Sequence, residues 1–495
     1  MDLSLCLPGA ERVETHISVV WLAGDYAYKV KKAVRLPFLD FSTLELRRRF
    51  LAEELRLNRR TAPDLYLDLL PVTGSAAVPV LGGSGEAIEW VLRMRRFPAG
   101  ALLSELAQQG LLQPGHIDAL ADHVAAFHLA LPPLPAAPAK DVVAWTIESL
   151  DEAALNPLRP AAVGTQRVRA LRERLLGLLG QQSGWRARRI EQGWLRECHG
   201  DLHLGNLVLW QGRVVAFDAI EFDPALRCID LANDIAFTFM DLLARGWPAL
   251  AWRFVNGYVE RSGDFDGLAG LRAYAAYRAL VRAKVALLSQ QPGLFERYWD
   301  CAEALAAPPP APRLVLTMGL SGAGKSTLAT CVAETLGALR LRSDVERKRL
   351  YGLAPTERPG SELDLYGPDA TRRTYARLSE LAGQLLAAGH SVVVDAALLR
   401  QGERTALREL AQRLGAPFLL LECVADPALM ERRLLARAAA ADDASDAGVE
   451  VMRRQRELAE PVPPDWAAEH RVLVNESSLE QLQASAVALL ADWGR

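Results

Sequence analysis

The order of apolar and polar positions divides the first 305 residues into two regions. In residues 1–97, short apolar runs alternate with turn residues, and a charged stretch at 44–60 has helical spacing. From residue 98 to 305 the spacing is mainly helical, interrupted by strand-like pieces at 197–223. The predicted strands of the first region are residues 17–23, 26–30, 66–72, 77–81 and 87–93, with a hairpin turn at Gly24-Asp25. The pattern predicts an α+β domain in which a sheet-rich lobe precedes a helical lobe.

A different pattern begins after residues 306–312, a proline-rich stretch that we expect to be an extended, semi-rigid linker. In residues 313–495, short apolar runs alternate with stretches of helical spacing. The predicted strands are residues 314–318, 339–341, 391–394, 417–423 and 471–474. This alternation predicts a second, α/β domain with a doubly wound parallel sheet.

Length and composition narrow the class of protein. A chain of 495 residues exceeds the size at which one core keeps growing, and half of its residues are apolar, so we expect more than one folded domain. A net charge of −3 argues against a generally basic surface for nucleic acid, although a local basic groove remains compatible with it. The six cysteines are scattered without a CxxC pair, which favours a reducing, cytoplasmic environment over a disulfide framework. We expect no signal peptide and no membrane contact, and the oligomeric state is not indicated.

A phosphate-binding motif opens the second domain. Residues 319–327 satisfy the pattern GxxxxGK[ST] between a predicted strand and a predicted helix. In such a loop, backbone N–H groups surround a phosphate and the helix N-terminus adds a favourable dipole. Lys325 would reach the β- and γ-phosphates of ATP, and the Ser326 hydroxyl would hold Mg²⁺. The residues predicted to bind nucleotide are Gly319, Ser321, Gly322, Ala323, Gly324, Lys325, Ser326 and Thr327.

Two carboxylates follow later strands of the same domain. Asp344 is a candidate to accept the proton of a substrate hydroxyl, with Arg347 gripping the substrate. The alternative is that Asp344 is the N-cap of a helix at 345–351. Asp395 ends an apolar strand and is a candidate ligand of Mg²⁺ or of the acceptor, unless it is simply a surface residue at a strand end.

Arginines on the helix after the fourth strand are candidates for a lid. Arg433, with Arg432 and Arg437, would cover the transferring phosphoryl group, or else would form a solvated face in an arginine-rich chain. Taken together, residues 313–480 resemble the small P-loop kinases that include gluconate kinase, chloramphenicol phosphotransferase and polynucleotide 5′-kinase. The resemblance implies phosphoryl transfer to a hydroxyl and does not identify the acceptor.

A second phosphoryl-transfer motif lies in the helical lobe. Residues 199–206 contain the pattern HxDxxxxN, and an apolar run ends in Asp218 twelve residues later. Asp201 would be the base, while Asn206 and Asp218 would be ligands of Mg²⁺. We expect His199 to brace the loop by hydrogen bonds, and His203 to be structural or to line the substrate.

This motif resembles the catalytic loop of the aminoglycoside phosphotransferase family, in which HGDxxxxN replaces the HRDxxxxN of protein kinases. The resemblance extends loosely over residues 10–300 and implies a kinase-like two-lobe domain. It also implies that Asp230 supports the loop and that residues 93–98 form a hinge, where the backbone around Met94 would bind adenine.

The same resemblance implies a phosphate-binding lysine on the third strand and a glutamate partner on the following helix. We favour Lys29 because apolar residues flank it, with Lys31 and Lys32 as competitors. Glu54 is the favoured partner and Glu53 the competitor. One departure stands out: residues 12–18 contain no glycine where protein kinases have a glycine-rich loop, so backbone or hydroxyl contacts from Thr15 and Ser18 would have to substitute.

Three functional hypotheses follow. The leading one is a bifunctional, ATP-dependent phosphotransferase that phosphorylates hydroxyl groups of small molecules with Mg²⁺. In the second, the P-loop domain is a nucleic-acid 5′-hydroxyl kinase, which the net acidity does not favour. In the third, the kinase-like domain is a weakly active nucleotide sensor that regulates the P-loop kinase. An aminoglycoside acceptor is disfavoured because residues 117–175 carry no acidic cluster suited to a polycation.

Overall fold

The computed structural model describes residues 2–36, 39–135, 141–358, 364–440 and 444–493. The described residues up to Arg245, together with Gly270–Ala306, form one compact unit. Gly246–Ala269 and the described residues from Ala307 onward form another. The second boundary falls at the start of the stretch predicted to be a linker. Residues 246–269, by contrast, were predicted to belong to the helical lobe and group instead with the P-loop unit.

The N-terminal lobe is an antiparallel sheet with the strand order β1-β2-β3-β8-β6-β7. In β3, Tyr28 and Val30 belong to an apolar cluster, so strand alternation places Lys29 and Lys31 on the opposite face. The Gly24-Asp25 hairpin forms as predicted, since Ala23 pairs with Tyr26. The elements are β1 (Glu11–Glu14), β2 (Ser18–Ala23), β3 (Tyr26–Lys31), β4 (Arg35–Leu36), β5 (Leu39–Asp40), α1 (Leu44–Asn58), β6 (Tyr66–Ser75), β7 (Val78–Leu81) and β8 (Glu89–Arg95).

The following lobe is mainly helical, as predicted. Its central helix is α8, in which every residue from Leu231 to Leu242 is buried. The helices are α2 (Leu103–Gln108), α3 (Pro114–Ala130), α4 (Val142–Leu155), α5 (Thr165–Gln181), α6 (Ser183–Glu191), α7 (Pro224–Arg227), α8 (Leu231–Ala244), α9 (Pro248–Ser262), α10 (Leu271–Leu288) and α11 (Pro292–Ala306). Short strand pairs interrupt them: β9 (Leu195–Glu197), β10 (Leu207–Trp210), β11 (Arg213–Ala216) and β12 (Cys228–Asp230). Of these helices, α9 belongs to the P-loop unit.

The P-loop unit contains a parallel sheet with the order β14-β15-β13-β16-β17, which confirms the predicted doubly wound arrangement. Val315 and Val393 pack with α12 and α18 on one face, while Leu316 and Val394 are buried on the other. The strands are β13 (Leu314–Met318), β14 (Leu339–Arg342), β15 (Val392–Asp395), β16 (Phe418–Val424) and β17 (His470–Val474). The helices are α12 (Lys325–Leu336), α13 (Ser343–Leu350), α14 (Pro368–Ala387), α15 (Gln401–Arg413), α16 (Pro427–Ala440), α17 (Val449–Leu458) and α18 (Leu479–Trp493).

Helix α9 covers the edge strand β14. The Asn256 amide donates to the Ala338 carbonyl at 3.0 Å and accepts from the Arg340 N–H at 2.8 Å. This side chain satisfies backbone groups that an edge strand would otherwise leave unpaired. The association of residues 246–269 with the second unit therefore has a direct structural cause. Separately, none of the described helices is long and apolar enough to cross a membrane.

Candidate active sites

Buried ion pairs join three distant segments of the first unit. Lys29 Nζ lies 2.7 Å from Glu54 Oε1 and 2.7 Å from Asp218 Oδ1. Lys31 Nζ lies 2.9 Å from Glu54 Oε2 and also contacts Glu221. The structure thus selects Glu54 as the partner of both lysines, since the neighbouring glutamate at position 53 pairs with arginines instead.

The charges in this network stabilise one another. Burial alone would lower the pKa of Lys29, but Asp218 and Glu54 hold it well above its usual value. Burial alone would likewise raise the pKa of Glu54, but the two lysines lower it to about 2. Lys29 and Glu54 are therefore ionised at neutral pH.

The catalytic-loop residues form a second group. Asn206 Nδ2 donates to Asp201 Oδ2 at 2.8 Å and to the Asp201 carbonyl at 3.0 Å, which leaves the amide oxygen of Asn206 as a potential metal ligand. His199 braces the loop as expected, because Nε2 donates to the Phe217 carbonyl at 3.0 Å and Nδ1 accepts from the Asp201 N–H at 3.3 Å. His203 Nε2 lies 3.4 Å from Asp201 Oδ2. Although burial opposes ionisation of Asp201, His203 is the main group that holds its pKa below its usual value.

Two carboxylates from α8 anchor this loop, and neither was predicted. Asp234 accepts from the backbone N–H groups of His199 and Gly200 at 3.1 and 2.8 Å. Asp241 accepts from the Leu204 N–H at 2.9 Å. The two are seven residues apart, which places them on one face of the helix.

The prediction that Asp230 supports the catalytic loop is wrong. Its carboxylate pairs with the buried Arg189 at 2.8 and 2.9 Å and accepts from the Ala232 N–H, where it caps α8. The sequence signal for Asp234 and Asp241 is that they are acidic residues in an otherwise apolar helix, since a buried charge requires hydrogen-bond donors around it.

The backbone at Asp218 is strained. Its φ of 61° lies in the left-handed region, which non-glycine residues adopt infrequently. The Tyr66 hydroxyl accepts from the Asp218 N–H at 3.1 Å, and the Asn58 amide oxygen accepts from the Ala219 N–H at 2.9 Å. Neither Tyr66 nor Asn58 was predicted from the sequence, and both hold Asp218 in reach of Lys29.

The two weaker predictions for this unit have different outcomes. Met94 lies near the end of β8, partly buried in an apolar cluster, and its contact with adenine stays a prediction. The glycine-free residues form a β1–β2 hairpin, in which the Thr15 hydroxyl accepts from the Ser18 N–H at 3.0 Å. Ser18 is fully buried, which argues against a contact between its hydroxyl and a phosphate.

In the second unit, glycines shape a loop between β13 and α12. Gly319 has a φ of 136°, and a Cβ there would lie 2.3 Å from the Cys423 carbonyl oxygen. Gly324 has a φ of 96°, and a Cβ there would lie 1.9 Å from Asn475 Nδ2. Only glycine meets both the conformation and the space at these positions. The loop is therefore a preformed cradle of backbone N–H groups at a helix N-terminus.

This loop borders a cavity of about 590 Å³. Lys325, Asp344, Arg347 and Asp395 all line it, so these predicted site residues converge on one place. Of the predicted nucleotide-binding residues, those in the wall are Ser321, Gly322, Gly324, Lys325, Ser326, Thr327 and Arg433. Ala323 is buried instead, where its carbonyl accepts from Asn475 at 2.8 Å, and Gly319 packs on β16.

The polar groups of the cavity fit a nucleotide with a divalent metal ion. Among the described residues, Asp395 Oδ2 and Arg433 Nη1 are buried without a hydrogen-bond partner. The Asp395 carboxylate and the Ser326 hydroxyl together form an oxygen donor set that Mg²⁺ accepts, and a free guanidinium nitrogen suits a phosphate. Burial lowers the pKa of Lys325 and raises that of Asp395. Desolvation is the largest cause of both shifts, and the charges of the two residues oppose it.

The proposed acceptor side has one correction. Helix α13 begins at Ser343 with Arg342 as its N-cap, so Asp344 lies inside the first turn and is not a cap. Its carboxylate instead pairs with Arg347 at 2.7 Å, and Arg347 stacks 4.7 Å above the Tyr366 ring. Asp344 is therefore free of a capping role.

The lid arginines separate into two classes. Arg433 and Arg437 line the cavity, whereas Arg432 is exposed and lies outside the cavity wall. Sequence reasoning missed α17, which contributes Arg454 and Gln455 to the wall. Gln455 Oε1 accepts from the Ser321 N–H at 2.8 Å. This backbone N–H group of the phosphate-binding loop therefore already has a hydrogen-bond partner.

Comparisons with known proteins match both parts of the chain. A family model described as "AAA domain" matches residues 314–462. A gluconokinase from Sinorhizobium meliloti 1021 is similar over 37% of this chain and 93% of its own, with 22% identity and a TM-score of 0.28. A choline/ethanolamine kinase family protein from Mesorhizobium loti is similar over 61% of this chain and 93% of its own, with 14% identity and a TM-score of 0.35.

Full-length relatives are also found. Uncharacterized proteins of Mycobacterium tuberculosis and Mycobacterium bovis are each 32% identical over 469 residues. The match covers 93% of this chain and 91% of each relative, so it includes both units. The chain belongs to the family of these mycobacterial proteins, and its residues 314–462 match the AAA-domain model.

Proposed function

We propose that the protein is a bifunctional phosphotransferase that uses ATP and Mg²⁺ at each of two centres to phosphorylate hydroxyl groups of small molecules. One observation carries the proposal: each unit independently brings a partly buried lysine close to a carboxylate suited to a metal ion. In the first unit these are Lys29 with Glu54 and Asp218. In the second, Lys325 and Asp395 line the same cavity; burial lowers the pKa of Lys325, and the charge of Asp395 only partly offsets that effect.

In the first centre, the chain's own groups support proton transfer and phosphate binding. Asp201 is ionised because its pKa is held low. Its carboxylate would accept the proton of the acceptor hydroxyl. Lys29 would bind phosphate oxygens, and Asn206 and Asp218 would supply oxygen ligands for the metal. Bound MgATP would supply the γ-phosphoryl group.

In the second centre, the roles fall on residues around the P-loop cavity. Lys325 and the backbone N–H groups of the loop would bind phosphates, and Ser326 with Asp395 would hold the metal. Asp344 would accept the proton of the acceptor hydroxyl while Arg347 orients the acceptor. Arg433 and Arg437 would neutralise charge on the transferring phosphoryl group.

The proposal of a small acceptor rests on the size of the P-loop cavity. A volume of about 590 Å³ lies within the usual range for small-molecule and cofactor sites, roughly 300–1,000 Å³. An oligonucleotide needs an open groove along its backbone. A nucleic-acid 5′-hydroxyl acceptor is therefore an alternative outcome of the experiment below.

The number of nucleotide sites per chain tests the proposal. We expect calorimetric titration with a non-hydrolysable ATP analogue and Mg²⁺ to show two sites in the wild type. Lys29→Met should remove one site and Lys325→Met the other, because each lysine is the principal cation for its own phosphates. Lys284→Met is a matched control, since this lysine pairs with Glu152 outside both centres.

The same variants identify the acceptors. Purified wild-type protein is incubated with labelled ATP and panels of sugars, nucleosides, amino alcohols and 5′-hydroxyl oligonucleotides. Each labelled product should depend on one lysine and not on the other. Binding that survives both lysine substitutions, or labelling that is insensitive to them, would contradict the proposal. Loss of all nucleotide binding from Lys325→Met alone would also contradict it, because the first unit would then bind no nucleotide of its own.

A further inference from the structure

Helix α9 brings a partly buried carboxylate into the P-loop unit. Glu260 lies near the end of α9, in the segment Gly246–Ala269 that the chain inserts from the middle of the helical region. The P-loop family match begins only at residue 314, so this carboxylate lies outside the matched domain. Its contacts lead to both residues that we place at the metal.

The first connection runs through Arg340 on β14. Arg340 Nε donates to Glu260 Oε1 at 2.9 Å. The other side of the same guanidinium, Nη1, donates to the Thr330 hydroxyl and lies 3.5 Å from the Ser326 carbonyl oxygen. Thr330 in turn donates to that carbonyl at 2.8 Å. Glu260 therefore fixes an arginine that holds the turn of α12 carrying Ser326.

The second connection runs through Arg342, two residues along the same strand. Arg342 Nη1 lies 3.5 Å from Glu260 Oε2, and Arg342 Nε lies 3.7 Å from Asp395 Oδ2. One carboxylate thus touches two guanidinium groups, each of which contacts a proposed metal ligand. Because Arg340 and Arg342 are cations beside a metal site, Glu260 offsets a positive potential that would oppose cation binding.

Other contacts hold α9 in place independently of this carboxylate. Asn256 pairs with the edge of β14, and Arg349 Nη2 donates to the Glu260 backbone carbonyl at 2.7 Å. Arg253 pairs with Glu334 on α12 at 2.7 Å. The helix therefore remains anchored when only the charge of residue 260 is removed, which makes the carboxylate testable without loss of the fold.

We propose that Glu260 is a positioning residue for the metal side of the P-loop nucleotide site. The inference rests on the proposed function of that site. Glu260 does not touch the nucleotide. It orients Arg340 and Arg342 and neutralises them, so that Ser326 and Asp395 are presented to Mg²⁺ in a less positive environment.

The test separates binding of the metal from binding of the nucleotide. In the full chain, affinity for a non-hydrolysable ATP analogue is measured with EDTA and along a Mg²⁺ titration. The P-loop site is identified as the part of the signal lost on adding Lys325→Met. Glu260→Gln is expected to raise the Mg²⁺ concentration at half-effect about tenfold, while Mg²⁺-free affinity changes less than about twofold.

Two further variants sharpen the result. Glu334→Gln removes a carboxylate of α12 that pairs with Arg253 of α9, away from the metal side. This variant should leave the Mg²⁺ midpoint unchanged. Arg342→Gln should lower the midpoint, and the double variant Glu260→Gln/Arg342→Gln should return towards wild type, because one positive and one negative charge are lost together. If Glu260→Gln alone folds poorly, the comparison of Arg342→Gln with the double variant still tests the role of Glu260.

The outcomes are distinguishable. Equal loss of affinity with and without Mg²⁺ would indicate a purely structural role and overturn the inference, as would an unchanged midpoint in Glu260→Gln. Absence of any Lys325-dependent site in the wild type would instead overturn the proposed function of the P-loop unit, and the inference with it. A shifted midpoint that the second charge change restores would support both.

Discussion

Replacing Asp201 by asparagine is expected to lower phosphoryl transfer by the first unit about 10²–10⁴-fold, the usual contribution of a positioned general base. Asparagine has nearly the same shape and can still hydrogen-bond to Asn206, but it cannot accept the hydroxyl proton. The loop itself should stay in place, because Asp234 and Asp241 hold its backbone from α8. Nucleotide affinity should therefore change little.

The measurement is kcat for the acceptor found in the panel experiment, with nucleotide affinity measured separately. Asp68→Asn is the matched control, because Asp68 belongs to the same unit and pairs with Arg93 on the half-exposed surface. The control should retain wild-type turnover within about twofold, since exposed ion pairs contribute little. Equal turnover in Asp201→Asn and wild type would remove Asp201 from the catalytic role.

The second large effect concerns stability. Glu54→Gln is expected to destabilise the first unit by about 3–5 kcal/mol, the usual result of removing one partner from a buried ion pair. The substitution keeps the shape of the side chain but leaves Lys29 and Lys31 short of counter-charge in a buried place. Urea unfolding followed on the transition of this unit would measure the difference.

The pH dependence of this effect has a defined sign. The pKa of Glu54 is lowered from 4.5 to about 2 on folding, so its ionised form stabilises the folded unit. The contribution is complete above about pH 4.5 and is lost as pH falls towards 2. The difference between variant and wild type should therefore be constant near neutral pH and shrink in acid.

A control on the same helix tests whether burial is the cause. Glu45→Gln makes the same chemical change at an exposed position in the first turn of α1. It should cost no more than about 1 kcal/mol. Similar losses in both variants would show that the buried network does not account for the stability of the unit.

Local pattern predicted most of the fold. The alternation of apolar runs located the strands of both sheets to within a few residues, because each strand must bury one or both faces. The polar strand β1 escaped prediction because all of its residues are exposed and its backbone pairs with β2 alone among the described strands. The sequence pattern also did not predict that α9 belongs to the P-loop unit. That association depends on hydrogen bonds between Asn256 and an edge strand more than 80 residues away.

The candidate sites show the same limit. Motif spacing made Asp201, Asn206, Asp218 and the P-loop residues candidates, because those separations are set by local loop geometry. It could not decide between the glutamates at positions 53 and 54, since that choice depends on which side of α1 faces β3. Nor could it identify Asp234 and Asp241, whose partners are backbone N–H groups in another segment.

The insertion of α9 also limits how this chain can be divided or recombined. A cut after Ala306 would separate the P-loop sheet from the helix that covers β14 and from the carboxylate beside Arg340. A genetic exchange at that point would pair each half with a foreign neighbour lacking the complementary piece. Fragments divided after Ala306 would therefore each lack or carry a misplaced part of the P-loop unit, although each unit has its own sheet and its own candidate site.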